Sequence, residues 1–359
     1  MADKLFERLK APIHRFDADE VKHLFALANR DRVMDLATRL KVDIGNNLPR
    51  IYNKRKNLSD YRTNPYVLLA TANIMGLSDP HAFGSFLFNS KLSMGLETSF
   101  GKLVERAFVS AYPCEYEASW RDPPEKIEEF RELENIEGRA AKAAFRNNSI
   151  WREIDKDVVI GERRYLVTIK SGPNTINDTQ VQGMVDAIRT KYEEWQRQTS
   201  LSHPEVTDLD IVLGLTYGTE KSTNNKDNQI LAKLRDFGFS EKYPEQLPGV
   251  LFNEDASVRV YRKIGKSFWS WIGDPSDETK QPHIFLEILL ALSIALSNLL
   301  EEGASIEEGI NERLRALATS LMKMQLSKDS LPSWLEQEIS DDELFWFMTA
   351  MSSFYDDGV

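Results

Sequence analysis

The most constraining feature of this sequence is a change of period in the middle of a chain that is otherwise patterned as helices. Residues 157–160 and 165–169 are rich in β-branched and aromatic side chains, and they flank a turn that contains Gly161. Two such runs around a glycine predict a β-hairpin. A helical pattern over 179–196 and a short apolar run over 209–217 follow. This order of strands and helix predicts an α/β core.

Helical patterns surround this core. Apolar residues recur at helical spacing over 17–42, and Gly-Asn-Asn-Leu-Pro at 45–49 is expected to end that helix. Residues 96–112 form a second amphipathic pattern, and the highly charged segment 122–146 is expected to be a solvated helical insert. Residues 259–261 are expected to add an edge strand to the core.

Charge is distributed unevenly along the chain. In total, 45 Lys and Arg stand against 56 Asp and Glu, and the net charge of −11 argues against a non-specific coat on nucleic acid. Residues 1–110 carry 17 basic and 12 acidic side chains, whereas residues 271–359 carry 5 and 17. The two ends of the chain either face different partners, or their difference in charge arose by chance.

Several classes of protein are excluded by composition. The single cysteine, Cys114, excludes a disulfide framework and a cysteine-based metal site. The N-terminus lacks the apolar core of a signal peptide. The apolar run 284–300 contains Glu287 and is shorter than the ~20 residues of a bilayer span, so it predicts a buried helix. We therefore expect a cytoplasmic protein that makes no contact with a membrane.

The residues around the predicted hairpin carry a specific chemistry. Glu153, Asp155 and Asp157 lie before or within the first strand, and Lys170 ends the second. Hydrolysis of a phosphodiester uses carboxylates that hold Mg²⁺, and a nearby lysine can stabilise charge or assist deprotonation of water. A hairpin that aligns Asp155 with Lys170 supplies both parts. The alternative is a surface ion pair beside a hairpin.

Five segments, in order between about residues 90 and 275, resemble the PD-(D/E)xK nuclease superfamily, and more narrowly type II restriction endonucleases of the PmeII kind. They are GLETSFGKLVE, IDKDVV, YLVTIKSGPNTIND, IVLGLTYG and IGKSFWSWIG. The resemblance implies an α/β fold in which a mixed central sheet is flanked by helices, with helical additions at both ends of the chain. It also implies a Mg²⁺-dependent, site-specific deoxyribonuclease.

The superfamily's metal-binding aspartate corresponds to Asp155, and its lysine corresponds to Lys170. The second acidic residue is expected two positions before the lysine, where this chain has Thr168. A carboxylate from the preceding helix can replace it, and Glu97 is favoured over Glu105 for this role.

Other metal ligands are also open. The backbone carbonyl of Ile169 is a candidate because hard cations accept carbonyl oxygen. Asp157 and Glu153 are further candidates.

Two groups of residues are candidates for contact with DNA. The first group is a basic loop that contains Lys54, Arg55 and Lys56. The second group follows Lys170 and consists of Ser171, Asn174 and Gln180. Basic side chains bind phosphates, and side-chain amides can bind phosphates or base edges. The alternatives are a solvated charge run for the first group and turn chemistry for the second.

Three regions are predicted from these patterns. Residues 1–90 form a helical N-terminal region that can contact DNA, residues 91–275 form the nuclease core with the insert 122–146, and residues 276–359 form an acidic helical C-terminal region.

The resemblance implies double-stranded DNA as the partner, cut at a short palindrome that is interrupted or continuous. A palindrome implies a homodimer, with acidic C-terminal helices that face away from DNA. A cognate methyltransferase would act on the same site without binding the nuclease. The alternatives are a repair or junction-resolving nuclease, and a DNA-binding protein whose catalytic site has decayed, for which Thr168 is the main support.

Overall fold

The computed structural model describes most of the chain. The described residues are 18–53, 61, 64–103, 108–109, 119–170, 176, 178–219, 226–301, 304–322, 332, 335 and 338–355. The chain divides into two compact units. The larger comprises Met1–Ala37 and Gly101–Ser293, and the smaller comprises Thr38–Phe100 and Ile294–Val359.

The larger unit contains a five-stranded mixed sheet. Its strands are β1 (Lys156–Ile160), β2 (Arg163–Lys170), β3 (Asp208–Leu215), β4 (Leu251–Phe252) and β5 (Val258–Ile264), in the spatial order β1-β2-β3-β5-β4. The predicted hairpin is confirmed, since β1 and β2 are antiparallel and Gly161 turns between them with φ 59°. β2, β3 and β5 are parallel to one another.

The expectation that residues 259–261 form an edge strand is wrong. β5 lies between β3 and β4, and it pairs with both. The true edge strand, β4, has only two residues, which is too short to give an alternating pattern in the sequence.

Helices of the described chain surround the sheet and build the smaller unit. They are α1 (Ala18–Leu27), α2 (Arg30–Asn53), α3 (Pro65–Met75), α4 (Pro80–Leu103), α5 (Pro124–Glu132), α6 (Arg139–Asn148), α7 (Asp178–Ser202), α8 (Lys226–Arg235), α9 (Lys266–Gly273), α10 (Ile284–Glu301), α11 (Ala304–Met322) and α12 (Asp341–Tyr355). The predicted helical insert is therefore two helices, α5 and α6, with a 3-10 turn at Leu133–Asn135 between them. No helix in the described ranges is long and apolar enough to cross a membrane.

One face of the sheet packs against α7. Alternate residues of β3, namely Leu209, Ile211 and Leu213, are buried there with apolar side chains of α7, as the period of a strand requires. Trp195 of α7 is fully buried in the same cluster. The predicted helix and strand over 179–196 and 209–217 are confirmed.

The expectation that residues 45–49 end a helix is wrong. α2 continues through Gly45 to Asn53. A Cβ at Gly45 would lie 3.2 Å from Leu299 Cδ1, so the glycine permits close packing within the smaller unit and does not end the helix. The helical pattern is instead interrupted between α1 and α2, where the Asn29 side chain accepts a hydrogen bond from the Arg32 amide at 3.0 Å.

Arg164 is a fully buried cation in β2. Its guanidinium donates hydrogen bonds to Asp157 Oδ2 at 2.6 and 2.9 Å, to both Glu125 oxygens at 2.7 and 3.1 Å, and to Thr199 Oγ1 at 3.1 Å. It also lies 5.3 Å from the ring centroid of Trp151. Burial lowers the pKa of Arg164, but the hydrogen bonds and charges of Glu125 and Asp157 outweigh this and raise it above its ordinary value. The group therefore stays charged and joins β1, α5 and α7 to β2.

We expect Arg164→Met to lower the free energy of unfolding by about 3–5 kcal/mol, because the buried Asp157 would lose its hydrogen-bonded partner and keep only the distant Arg121, whose Nε lies 3.9 Å from Asp157 Oδ1. Urea unfolding measures this loss. The matched control is Arg197→Met, which removes an exposed arginine paired with Glu194 on α7 and should leave the midpoint nearly unchanged. Equal, small effects of the two substitutions would contradict the role given to Arg164.

Candidate active site

The hairpin brings Asp155 and Lys170 to the same end of the sheet. The Asp155 amide donates to the Val167 carbonyl at 2.8 Å, and the Ile169 amide donates to Asp155 Oδ2 at 2.6 Å. Asp155 is thereby fixed opposite the last residues of β2, and Lys170 is the final residue of that strand. The aspartate and the lysine that the sequence paired are neighbours in the structure.

The surroundings of Asp155 disfavour the ionised form of its carboxyl group. Burial raises the pKa of Asp155 above its ordinary value, and the negative charge of Glu153 adds to the rise. The positive charges of Lys170 and Lys126 and the hydrogen bond from the Ile169 amide oppose it without cancelling it. A nearby cation would relieve this cost, since opposite charge favours the ionised form.

A small pocket lies beside Lys170, and Glu153, Thr168 and Lys170 line it together with apolar side chains such as Met184 and Leu213. Thr168 is 2% exposed. Its hydroxyl oxygen has no hydrogen-bond partner among the described residues. The position that lacks its expected carboxylate therefore faces a pocket that another carboxylate, Glu153, also lines.

Among the described residues Glu153 forms one ion pair, and it also interacts with the charge of Lys191. Its Oε1 atom lies 3.5 Å from Arg152 Nε, and the Arg152 side chain is 53% exposed. This ion pair is weak because solvent screens it. Glu153 thus remains available to a cation at the pocket.

The structure separates Asp157 from Asp155. Asp157 is fully buried, and its carboxylate binds Arg164 as described above. Its other oxygen, Oδ1, has no hydrogen-bond partner within the described part of the chain. Asp157 therefore belongs to the buried network that supports the hairpin.

The remaining predicted site residues are placed as follows. Glu97 lies within α4, and Gln180 lines the pocket near the start of α7. Glu105, Lys54, Arg55, Lys56, Ser171 and Asn174 lie outside the described residues.

Lys126 is a residue near the site that the sequence did not reveal. It belongs to α5, and its Nζ atom donates a hydrogen bond to the Ile154 carbonyl, next to Asp155. Its charge lowers the pKa of Asp155. In the sequence it is one of many charged residues of the insert, and no local signal distinguishes it.

The donor atoms here suit a hard divalent cation. The carboxylates of Asp155 and Glu153 are oxygen donors, and the Ile169 carbonyl projects to the same side of β2 as the amide that binds Asp155, as strand geometry requires. No cluster of three or more His, Cys, Asp or Glu suited to a metal occurs among the residues that the structure describes. Carboxylate and carbonyl oxygens are donor types that Mg²⁺ accepts, and it is usually bound by one or two carboxylates and otherwise by water and substrate.

A mixed five-stranded sheet flanked by helices, with this hairpin, is a PD-(D/E)xK nuclease-like α/β fold. In sequence, residues 139–295 match the family model described as type II restriction endonuclease EcoO109I. The match supports a restriction endonuclease, and with it a nuclease that binds DNA. The narrower likeness to the PmeII kind stays a prediction. No curated protein matches the chain.

We expect Asp155→Asn to raise the melting temperature of the metal-free protein at pH 8. Because the folded state raises the pKa of Asp155, folding favours its protonated form. The wild type therefore loses stability as pH rises from the ordinary aspartate pKa through the raised value. Asparagine carries no charge and removes this penalty.

Thermal melts in EDTA across this pH range measure the difference. The advantage of Asp155→Asn should shrink toward acid pH. The control is Asp255→Asn: hydrogen bonds from Ser257 lower the pKa of Asp255 below its ordinary value, so folding favours its ionised form and the substitution should not raise the melting temperature. A lower melting temperature for Asp155→Asn at pH 8 would contradict the assignment.

Proposed function

We propose that this protein is a Mg²⁺-dependent type II restriction endonuclease that hydrolyses phosphodiester bonds in duplex DNA. The observation that carries the proposal is the fixed pairing of Asp155 with the end of β2, where the Ile169 amide holds one carboxylate oxygen beside Lys170. The match of residues 139–295 to a restriction endonuclease family supports the same reaction.

Each residue has a distinct task in this proposal. Asp155, Glu153 and the Ile169 carbonyl would hold Mg²⁺, and the bound ion would supply positive charge at the phosphate and the attacking water. Lys170 stabilises the negative charge that grows on the phosphate, and it can take part in deprotonation of the water. Lys126 is a positioning residue, since it holds the Ile154 carbonyl and so the backbone next to Asp155.

Position 168 has a threonine where a second metal-binding carboxylate is expected. We propose that Glu153 supplies this carboxylate. It lines the same pocket as Thr168 and Lys170, and its charge acts on Asp155. Glu97, within α4, and Glu105 remain the alternatives that the sequence offers.

Metal binding in the absence of DNA distinguishes these carboxylates. We expect Asp155→Asn and Glu153→Gln to weaken Mn²⁺ binding, measured by isothermal titration calorimetry, by at least about tenfold, since even indirect partners of a metal contribute that much. Glu128→Gln, an exposed residue of α5, is the matched control and should bind Mn²⁺ as the wild type does. Weaker binding by Glu97→Gln with none lost by Glu153→Gln would assign the role to the helix instead.

The finer features of the proposal concern assembly and target. A restriction enzyme that cuts a short palindrome, interrupted or continuous, is expected to act as a homodimer whose two-fold axis matches that of the DNA. A cognate methyltransferase would protect the same site in the host. The basic residues near position 55 would face the DNA, and the acidic region 276–359 would face away.

Digestion of unmethylated phage DNA tests the activity. With Mg²⁺, the wild type should give discrete fragments, and EDTA should prevent them. Lys170→Ala should cut about 10²–10⁴-fold more slowly, because the lysine stabilises charge and assists proton transfer. Lys233→Ala, in the last turn of α8, is the control and should keep the wild-type rate. A smear in place of fragments would indicate a non-specific nuclease.

A second candidate is a DNA-binding protein that has lost catalysis, and Thr168 favours it. Such a protein would bind duplex DNA but would not cleave it with Mg²⁺ or Mn²⁺. It would also fail to bind Mn²⁺ through Asp155 and Glu153.

A further inference from the structure

Helix α6 carries a basic outer face. Arg139, Lys142 and Arg146 occur at spacings of three and four residues, so they lie on one side of the helix. Arg139 and Arg146 are exposed, and Lys142 is half-buried. None of the three forms an ion pair or hydrogen bond within the described part of the chain. Their charge is therefore not used to stabilise the fold.

The position of Arg139 is unfavourable for the helix itself. It is the first residue of α6, where the helix dipole is positive and disfavours a cation. The residue before it, Gly138, provides no side-chain hydrogen bond to the first turn. A basic residue at an uncapped N-terminus breaks a rule of helix stability, and such departures tend to occur at functional sites.

The outer face of α6 is also free of packing. None of the ten residues of the helix is buried. Phe145 makes an edge contact with Phe130 of α5, with 6.5 Å between ring centroids, and this side turns α6 toward the protein. On the other side, the small residue Ala143 is exposed next to the basic ones, and Ala140 is also exposed. Small side chains allow a helix to approach a flat or grooved partner closely.

The connection from α6 to Asp155 is anchored to the core. The Ser149 hydroxyl donates to Glu129 at 2.6 Å, and Lys191 Nζ donates to the Ser149 carbonyl at 2.7 Å. Trp195 Nε1 donates to the Ile150 carbonyl at 2.9 Å. The chain that leads from the end of α6 toward Asp155 is therefore held against α5 and α7.

We infer that the outer face of α6 binds the phosphate backbone of duplex DNA beside the scissile bond. This inference rests on the proposed function, and it adds a contact surface that the basic residues near position 55 do not include. The three unpaired cations of α6 complement the negative charge of DNA. The neighbouring helix α5 has exposed Glu128 and Glu132, which would repel phosphates, so we expect the DNA to contact α6 and not α5. The family match begins at Arg139, so α6 belongs to the matched segment.

Binding of a fluorescein-labelled mixed-sequence duplex of about 30 base pairs to the full-length protein in EDTA, between about 50 and 200 mM NaCl, tests this inference. Each of Arg139→Ala, Lys142→Ala and Arg146→Ala should lower the slope of log affinity against log salt by about one, and should weaken binding about five- to tenfold near 0.1 M salt. Arg197→Ala, which removes an exposed arginine near the end of α7, should change neither value.

Ala143→Glu keeps all three basic residues and adds a negative charge to the same face in a residue that favours helix. It should weaken binding without a change in melting temperature, so the test does not depend on the stability of the alanine variants. Wild-type affinity and slope in all four α6 variants, in a protein that cleaves phage DNA, would overturn this inference alone. A wild type that neither binds the duplex nor cleaves DNA would overturn the proposed function.

Discussion

A buried guanidinium sets the geometry on which the candidate active site depends. Arg164 cannot be buried unless carboxylates accompany it, and it takes Asp157 from β1 and Glu125 from α5. The bond to Glu125 fixes α5 against the sheet. The next residue of that helix, Lys126, then reaches the Ile154 carbonyl beside Asp155. One ion network thus supports the hairpin and also positions the backbone that precedes Asp155.

The site contrasts with this charge-paired network. Asp155 is a carboxylate whose pKa is raised by burial, and the Thr168 hydroxyl nearby finds no partner among the described residues. Arg139, at the uncapped start of α6, opposes the helix dipole. Each of these three features is expected to lower the stability of the fold, and each lies in the sequence near the proposed metal and DNA contacts. Proteins commonly accept such costs where a ligand compensates them.

Sequence patterns predicted the hairpin, α7 and β3 because residues within each of these elements determine its conformation. The hairpin follows from two β-rich runs around Gly161, and α7 and β3 follow from their periods. The errors occurred where long-range packing prevails. Gly45 continues a helix because Leu299 packs 3.2 Å from where its Cβ would be, and β5 is internal because the two-residue strand β4 covers it.

The same division applies to the site. The sequence by itself determined that Asp155 and Lys170 share one end of the sheet, because a hairpin of known length and a two-residue period fix both positions locally. Only the tertiary structure distinguished the surroundings of Asp155 and Asp157, since Arg164, which binds Thr199 of α7, takes Asp157 into a buried pair. It also decided the place of Lys126, because that contact joins residues 28 positions apart in sequence. Such contacts depend on how helices pack on the sheet, and no local pattern encodes them.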